Sequence, residues 1–316
     1  MSVSLPGGFE FPADTSVPLA LYNASRSWQR AEFQAVLGYS HVLIEAERPL
    51  FGSLFDRNVA REAESLRTHG LSVAFIAHGT DIRSARRHLA TTPWSYFSDD
   101  PEQTAALQAD ADRNIALLIN QESPVFVSTP DLIDDVPRAL WCPVVVTPAR
   151  WLSSRPAMKE PVPLVWHAPS MSRVKGTHLI SETMQGLHRE GRVKYSERRG
   201  IPAEQMPQHI STTDILLDQF RTGSYGVAAC EGMAAGRVVL GHVLPQVRDR
   251  VRTMTGMELP VVEATPDTLR DVILELIANP AWARSCAAAG PRFVSHVHDG
   301  RWSASAIREN WLTLRT

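Results

Sequence analysis

The chain has 316 residues, of which 44% are hydrophobic and 21% are charged, and its formal net charge is −2 at pH 7. This composition supports ordinary globular cores, and the length favours two domains of roughly 150 residues each. Because the net charge is close to zero, no global field favours nucleic acid as a partner. Cys142, Cys230 and Cys286 are far apart. Their spacing argues against a disulfide framework or a zinc site.

The N-terminal segment 1–16 lacks the basic start and the apolar stretch of a signal peptide. No run approaches the roughly 18 apolar residues of a membrane span. We therefore expect a cytoplasmic protein with at most peripheral membrane contact.

In the first half, short apolar runs predict strands, and apolar residues at helical spacing predict helices. Strands are expected at 17–23, 41–47, 71–79, 124–130 and 142–148. Helices are expected at 25–39, 51–70 and 100–121. Ser25 or Ser27 is a suitable N-cap for the first helix, Gly70 ends the second, and Asp100 with Pro101 begins the third.

A proline-containing segment at 147–163 interrupts this alternation and predicts a domain junction. In the second half, strands are expected at 163–170, 192–200, 214–219 and 237–243. Helices are expected at 175–191, 201–213, 225–235, 265–299 and 300–316, with a break near Asn279 and Pro280. Strand–helix alternation in both halves predicts an α/β protein with two parallel sheets, each covered on both faces. Ligands of such folds bind beside the carboxyl ends of the strands.

The segment LLDQFRTGSYGVAACEGMAAGRVVL, residues 216–240, contains a lone carboxylate within a run of small residues. Asp218 ends a predicted strand, and Gly223-Ser224-Tyr225-Gly226 forms a tight turn before a helix that ends at Gly236. The N–H groups at the helix start suit a phosphate. Glu231 is about six residues further, roughly 9 Å along the axis, where it reaches the ribose hydroxyls of the same nucleotide. The alternative is a solvated glutamate without a ligand.

A second candidate is HAPSMSRVKGT, residues 167–177, which follows a strand and opens a helix. Arg173 and Lys175 at the helix entry suit a diphosphate leaving group. The alternative is that both are ordinary surface cations.

The third candidate is HGTDIRS, residues 78–84, at the end of a strand in the first half. His78, Asp81 and Arg83 are expected at the cleft, where the histidine suits a sugar hydroxyl or proton transfer. The alternative is a structural histidine at the turn. Two candidate metal ligands without a third make a metal site a weak hypothesis.

The first two segments resemble the retaining nucleotide-sugar glycosyltransferases of the GT-B fold, glycosyltransferase family 4 type. In that family a Gly-aromatic-Gly turn precedes a helix that carries the second glutamate of the E-x7-E motif, followed by EAMAxGxPVV. Residues 231–239, EGMAAGRVV, match this pattern closely. The resemblance is strong over about 163–243 and looser over about 41–148, where HGTDIR takes the place of the family's histidine loop.

The resemblance implies two Rossmann-like domains facing each other across a cleft. The N-terminal acceptor-side domain is expected at 1–150, the nucleotide-sugar domain at 151–299, and a C-terminal helix at 300–316 that packs back on the first domain. It also implies an enzyme of carbohydrate biosynthesis. Such an enzyme transfers a sugar from a nucleotide-diphosphate sugar to the hydroxyl of a glycan, lipid-linked or small-molecule acceptor. The anomeric configuration is retained, and no metal or other cofactor is expected.

By the same resemblance, Glu231 holds the ribose, Arg173 and Lys175 hold the diphosphate, and His78 contacts the transferred sugar. The expected catalytic residues are His78, Asp218, Arg173 and Lys175. The expected nucleotide-sugar contacts are Gly223, Ser224, Tyr225, Gly226, Glu231, Arg173 and Lys175. Further contacts with the sugar or acceptor are expected from Asp81, Arg83 and His167.

The sequence departs from the family pattern in three places. Gly223 stands where the first glutamate of E-x7-E belongs, Ser170 stands where the family has an arginine, and no Gly-rich loop follows the first strand. Two alternatives therefore stay open. One is a non-catalytic GT-B protein that binds a nucleotide sugar or a partner, and the other is a GT-B-type sugar-nucleotide epimerase.

Overall fold

The computed structural model describes residues 3–4 and 13–312. Its strands are β1 (Val3–Ser4), β2 (Thr15–Ser16), β3 (His41–Glu45), β4 (Ser72–Ala77), β5 (Val125–Val127), β6 (Leu140–Trp141), β7 (Leu164–His167), β8 (Lys194–Glu197), β9 (Ile215–Leu217), β10 (Val238–Gly241) and β11 (Val262–Glu263). Its helices are α1 (Leu19–Ala24), α2 (Arg26–Val36), α3 (Val59–Thr68), α4 (Ala85–Thr91), α5 (Pro101–Ile119), α6 (Pro148–Trp151), α7 (Ser172–Lys175), α8 (Thr177–Arg189), α9 (Met206–Thr212), α10 (Val227–Ala234), α11 (Pro245–Thr255), α12 (Leu269–Ala278), α13 (Pro280–Val297) and α14 (Arg301–Ile307). Short 3-10 helices lie at Tyr96–Ser98 and Pro130–Asp134, and a π-helical turn spans Arg308–Leu312.

Two separate parallel sheets carry the fold. The first has the strand order β3-β4-β5-β6, and the second has the order β11-β10-β9-β7-β8. All the pairs in both sheets are parallel. Helices cover the sheets, so the central strands are apolar and buried. The predicted α/β architecture with two parallel sheets is confirmed, and the carboxyl ends of the strands position the candidate site.

Several predicted helix boundaries are confirmed by their caps. The Ser25 hydroxyl accepts a hydrogen bond from the Trp28 N–H at 3.2 Å, and the Asp100 carboxylate accepts one from the Gln103 N–H at 2.9 Å. The chain also breaks between α12 and α13 at Asn279, as predicted. Local side-chain chemistry decides these boundaries, so the sequence alone predicts them.

The predicted strand at 17–23 is wrong, because this segment forms the short helix α1. Pro18 stands at its N-terminal boundary, where its fixed φ and missing N–H suit a helix start. Leu19 and Leu21 are exposed and Tyr22 is buried, which is a helical rather than an alternating pattern.

Three other predicted elements differ from the observed ones. The helix at 51–70 begins only after Asn58, which caps α3, and the two preceding residues, Asp56 and Arg57, have positive φ. The strand predicted at 142–148 is wrong: β6 lies just before it, at Leu140–Trp141, and the prolines Pro143 and Pro148 do not suit a continuing strand. The helix at 175–191 is divided into α7 and α8 by Gly176 at φ 79°. Helices α4, α6 and α11 and strands β1, β2 and β11 are not among the predicted elements.

The C-terminal helix α14 packs beside β6. The Ser303 hydroxyl donates to the Pro143 carbonyl at 2.6 Å, and the Trp311 indole N–H donates to the Ser72 hydroxyl at 2.8 Å. The chain end thus contacts the first sheet. The expected helix at 300–316 extends past the described part of the chain by residues 313–316, and the domain boundaries stay predictions.

A buried arginine joins the two halves of the molecule. Arg221, which follows β9, pairs with Asp99 at 2.6 Å and donates to the Trp94 and Ser95 carbonyls at 2.7 Å each. Arg221 is 2% exposed. A charge that is buried and fully paired resists separation, since opening this contact leaves it without partners. This contact therefore joins the segment after β9 to residues 94–99 of the first half.

Close packing of α10 against α13 makes a testable prediction about glycines. A Cβ at Gly290 in α13 would lie 2.5 Å from the Met233 carbonyl oxygen, whereas at Gly186 in α8 the nearest atom lies at 4.0 Å. We expect Gly290→Ala to destabilise the protein by about 1–3 kcal/mol through overpacking. Gly186→Ala should instead be neutral or stabilising by up to about 1 kcal/mol. Urea denaturation of both variants measures this difference, and equal stabilities would contradict the packing described here.

Candidate functional site

The candidate site is built where β9 ends and α10 begins. The carboxylate of Asp218 is buried, and its Oδ1 lies 2.5 Å from Lys175 Nζ. Its Oδ2 accepts a hydrogen bond from the Gly226 N–H at 2.8 Å, at the start of α10. The Gln219 amide supports the turn by donating to the Ser224 carbonyl at 2.7 Å. The predicted strand end, turn and helix are thus brought together around one ion pair.

Small residues let α10 lie directly on the second sheet. A Cβ at Gly232 would lie 3.0 Å from Val239 Cγ2 and 3.1 Å from Leu216 Cδ2, so a larger side chain would push the helix away. Ala229, Cys230 and Ala234 of α10 are buried for the same reason. The helix is thereby fixed, and with it the direction of Glu231.

Glu231 is the fifth residue of α10. Burial raises the pKa of its carboxyl to about 7, although the charges of Lys175 and Arg150 act to lower it. No hydrogen bond joins its carboxylate to any residue within the described ranges 3–4 and 13–312. The carboxyl group is therefore available to accept hydrogen bonds from a ligand.

The basic segment is arranged differently from the prediction. Arg173 and Lys175 lie in the one-turn helix α7 and not at the entry of α8, because Gly176 turns the chain between the two helices. Lys175 Nζ reaches the start of α10, 3.2 Å from the position of a Cβ at Gly226. Arg173 lies near Asp99 and lowers the pKa of that carboxyl, after the larger effect of Arg221. Lys175 thus lies close enough to Glu231 for its charge to lower the pKa of that carboxyl. Arg173 instead lies near the contact between Arg221 and Asp99.

The structure explains why residue 223 is a glycine. Its φ is 67°, and a Cβ there would lie 2.6 Å from Leu244 Cδ1 and 2.7 Å from Leu244 Cγ. A glutamate would meet both a left-handed backbone and this leucine. The first glutamate of the family motif therefore has no room here.

The Gly-aromatic-Gly turn is buried. Ser224 and Tyr225 are 1% and 3% exposed, and the Tyr225 hydroxyl hydrogen-bonds His298 Nε2 at 3.1 Å. Nδ1 of the same histidine hydrogen-bonds the Val144 carbonyl at 2.8 Å. The aromatic residue thus anchors the turn to the end of α13. Direct ligand contacts of this turn stay predictions.

The histidine loop lies at the carboxyl end of β4. His78 is exposed, and its Nε2 lies 2.9 Å from Glu45 Oε1. Asp81 accepts hydrogen bonds from the His78 N–H at 2.8 Å and the Gly79 N–H at 2.5 Å. Asp81 therefore shapes the turn, while the His78 ring is accessible to a ligand.

Arg83 and His167, predicted as sugar or acceptor contacts, have their polar atoms engaged within the protein. The Arg83 guanidinium pairs with Asp131 at 2.7 Å, and both side chains are buried. His167 bonds the Leu217 carbonyl through Nδ1 and the Thr177 hydroxyl through Nε2, each at 2.9 Å. Burial lowers the pKa of His167 to about 4, so the ring is neutral. Both side chains thus hold the fold, and their contacts with a sugar or acceptor stay a prediction.

Three polar residues near the strand ends were missed by the sequence reasoning. Arg150 in α6 is exposed, donates to the Ala203 carbonyl at 3.0 Å and acts on the Glu231 charge. Asp131 lies just after β5, and Glu47 lies just after β3. Asp131 and Glu47 follow predicted strands, and this position could have marked them as candidate site residues. No local sequence pattern marks Arg150.

The buried carboxyl of Glu47 predicts that the stability of the protein depends on pH. It is 6% exposed, and burial, with the charge of Asp81, raises the pKa of its carboxyl to about 9. The folded protein therefore holds a proton that the unfolded chain releases above about pH 4.5, so stability falls as pH rises from 4.5 towards 9. We expect Glu47→Gln to flatten this dependence, measured by urea denaturation between about pH 5 and 8. Parallel pH curves for wild type and variant would contradict the assignment.

The described residues contain neither a metal-binding cluster nor a membrane-spanning helix. In ranges 3–4 and 13–312, no group of three or more His, Cys, Asp or Glu side chains is arranged to hold a metal ion. Over the same residues, no helix is both long and apolar enough to span a membrane.

Comparisons with known proteins agree with this architecture. No protein-family model and no curated protein sequence matches the chain. Among solved structures, sucrose-phosphate synthase from Thermosynechococcus elongatus has a TM-score of 0.59 at 17% identity, over 93% of this chain and 79% of that one. HepE from Anabaena, in complex with UDP-glucose, has a TM-score of 0.57 at 12% identity, over 94% and 85%. S. aureus TarM has a TM-score of 0.52 at 14% identity, over 80% and 53%.

These similar structures are GT-B glycosyltransferases. Their likeness, together with the two parallel sheets, shows that this chain has the GT-B fold.

Proposed function

We propose that the protein is a glycosyltransferase, of the retaining family 4 type, that uses a nucleotide-diphosphate sugar as donor. The observation that carries this proposal is that the carboxyl of Glu231, which has no hydrogen-bond partner among the described residues, lies close enough to the Lys175 ammonium, at the start of α10, for that charge to lower its pKa. A carboxylate suits vicinal ribose hydroxyls, and a helix start beside an ammonium suits a diphosphate. HepE, a structural neighbour, was crystallised with UDP-glucose.

In the proposed reaction, the bond from the anomeric carbon to the diphosphate oxygen breaks. A bond to the acceptor hydroxyl oxygen forms on the same face of the sugar. The proton of that hydroxyl passes to the leaving phosphate oxygen. Lys175, with Arg173 nearby, stabilises the charge that develops on the leaving group. His78 lies at the carboxyl end of β4 in the first sheet, and its ring is accessible to contact the sugar. The acceptor is a glycan, lipid-linked or small-molecule hydroxyl, and the reaction requires no metal ion.

The test is a screen of purified protein against UDP, GDP, ADP and dTDP and their sugars. Binding is measured by thermal shift, since a ligand that binds the folded state raises the melting temperature by mass action. Turnover is measured by release of the nucleoside diphosphate in the presence of EDTA. We expect one nucleotide series to bind and to turn over without metal. The absence of both binding and turnover across the whole panel would overturn the proposal.

A second candidate, nucleotide-sugar binding without catalysis, is favoured by one observation. Leu244 fills the space beside Gly223, so the first family glutamate is replaced by an apolar contact. This candidate predicts binding without turnover in the same screen. Robust transfer to an acceptor would exclude it.

A further inference from the structure

Two segments that carry the chain between the halves of the molecule meet at His298. Residues 142–147 lead from β6 of the first sheet to α6, and residues 298–300 lead from α13 back to α14, which packs beside β6. The Val146 N–H donates to the His298 carbonyl at 2.9 Å. The outgoing and the returning segment are therefore in direct contact at this histidine.

The ring of His298 is buried and forms a hydrogen bond at each of its nitrogens. Nδ1 lies 2.8 Å from the Val144 carbonyl oxygen, and Nε2 lies 3.1 Å from the Tyr225 hydroxyl. The residue is 1% exposed, and burial lowers the pKa of the ring to about 4, so the imidazole is neutral near pH 7. A neutral imidazole has one donor and one acceptor, and a carbonyl oxygen can only accept. Nδ1 therefore carries the proton, and Nε2 accepts the hydrogen bond that the Tyr225 hydroxyl donates.

Tyr225 belongs to the turn that leads into α10, and its hydroxyl holds that turn from outside the second sheet. Two other hydrogen bonds hold the same turn from the end of β9, where the Gln219 amide and the Asp218 carboxylate contact its backbone at 2.7 and 2.8 Å. The bond to His298 differs from these, because its acceptor lies where the chain crosses between the halves. The turn is thus held by β9 on one side and by the crossing segments on the other.

We propose that His298 is a positioning residue of the donor site. Through the Tyr225 hydroxyl it fixes the turn before α10, whose N–H groups receive the diphosphate, and it does not itself contact the nucleotide. The proposal rests on the glycosyltransferase function proposed above. Binding groups are effective only when the residues around them hold them in place. Without the bond to His298 the turn adopts other orientations in the free protein, and the ligand must restore the productive one at a cost in affinity.

The test measures affinity for nucleoside diphosphates in variants that lack this hydrogen bond. Tyr225→Phe removes the hydroxyl, and His298→Asn removes Nε2 but keeps an N–H donor for the Val144 carbonyl. UDP, GDP, ADP and dTDP are titrated calorimetrically into wild type, the two single variants and the double variant, at a temperature at which all are folded. We expect each single variant to lose about 3- to 10-fold in affinity for the diphosphate that wild type prefers. The double variant should lose no more than the weaker single variant, because both changes remove the same bond.

Tyr22→Phe is the matched control. Tyr22 is also buried, and its hydroxyl donates to the Pro49 carbonyl at 2.6 Å in the first half of the molecule. Its loss should lower the melting temperature, as Tyr225→Phe does, but should leave the affinity for the diphosphate within about twofold of wild type. This comparison separates an effect on the nucleotide site from a general loss of stability. If His298→Asn does not fold, Tyr225→Phe and this control test the bond by themselves.

Two results would refute the positioning role and leave the proposed function standing. In the first, wild type binds one of the diphosphates and Tyr225→Phe keeps that affinity within about twofold. In the second, the losses of the two single variants multiply in the double variant, which would show two separate effects. If wild type binds none of the diphosphates, the proposed function fails and the positioning role fails with it.

Discussion

Glu231→Ala is expected to lower affinity for the cognate nucleoside diphosphate by about 10- to 100-fold and to abolish turnover. The carboxyl of Glu231 has no partner among the described residues, so its hydrogen bonds to the ribose are made only with ligand present. A hydrogen bond to a charged group contributes about 1.5–3 kcal/mol, and each 1.4 kcal/mol is about tenfold in affinity. Calorimetric titration of both proteins measures the loss.

A 2′-deoxy nucleotide provides the control for this prediction. Wild type should bind the deoxy form more weakly than the ribose form, whereas Glu231→Ala should bind the two forms equally. Glu182→Ala, a change at an exposed glutamate of α8, should keep the preference of wild type. A preference for ribose that survives in Glu231→Ala would exclude Glu231 as the ribose contact.

The same comparison has a pH dependence with a defined sign. Burial raises the pKa of the Glu231 carboxyl to about 7, so this group changes from acid to carboxylate across neutral pH. The carboxylate accepts two hydrogen bonds more strongly than the acid does. We therefore expect the preference for ribose over deoxyribose to rise between about pH 6 and 8. The measured quantity is the ratio of the affinities for the ribose and deoxyribose nucleotides. Both nucleotides carry the same phosphates, so titration of the phosphates cancels in this ratio.

The stability of the folded protein changes with pH in the direction opposite to the ribose preference. The folded protein holds the Glu231 proton up to about pH 7, whereas the unfolded chain releases it near pH 4.5. This group therefore contributes less stability as pH rises from 4.5 to 7, and Glu231→Gln should remove that contribution. The Glu231 carboxyl, which we expect to bind the ribose, thus lowers the stability of the ligand-free protein near neutral pH.

The second large effect is expected for Lys175→Met. The Lys175–Asp218 pair is 2.5 Å long, with the two side chains only 12% and 1% exposed. Removing the ammonium leaves the buried Asp218 carboxylate with the Gly226 N–H as its one remaining partner in the described part of the chain, which should destabilise the protein by about 3–5 kcal/mol. Nucleotide binding should be lost as well, because the diphosphate loses its ammonium. Urea denaturation and titration with the cognate diphosphate measure the two effects.

The double variant Lys175→Met/Asp218→Asn separates stability from binding. Neutralising Asp218 removes the buried charge, so most of the stability should return, whereas nucleotide binding should not. Full recovery of nucleotide affinity in the double variant would show that Lys175 serves only to neutralise Asp218.

The alternation of elements and the Glu231 region were predictable because local chemistry determines them. Apolar strands separated by amphipathic helices predict parallel sheets wherever they occur, and Ser25 and Asp100 cap their helices through their own side chains. The small residues around Glu231 predict a helix packed on a sheet, which α10 is. The retaining mechanism, the absence of a cofactor and the cytoplasmic location stay predictions.

The sequence by itself determined most of the strands and helices of the two parallel sheets and the short stretch that carries the candidate nucleotide site. Only the tertiary structure decided what Arg221, Asp131 and Leu244 do, because their partners lie in distant parts of the chain. Arg221 finds Asp99 across 122 positions, Asp131 finds Arg83 across 48, and Leu244 excludes a side chain at Gly223. The physical reason is that burial and pairing of charge depend on which surfaces meet, and no local pattern specifies that meeting.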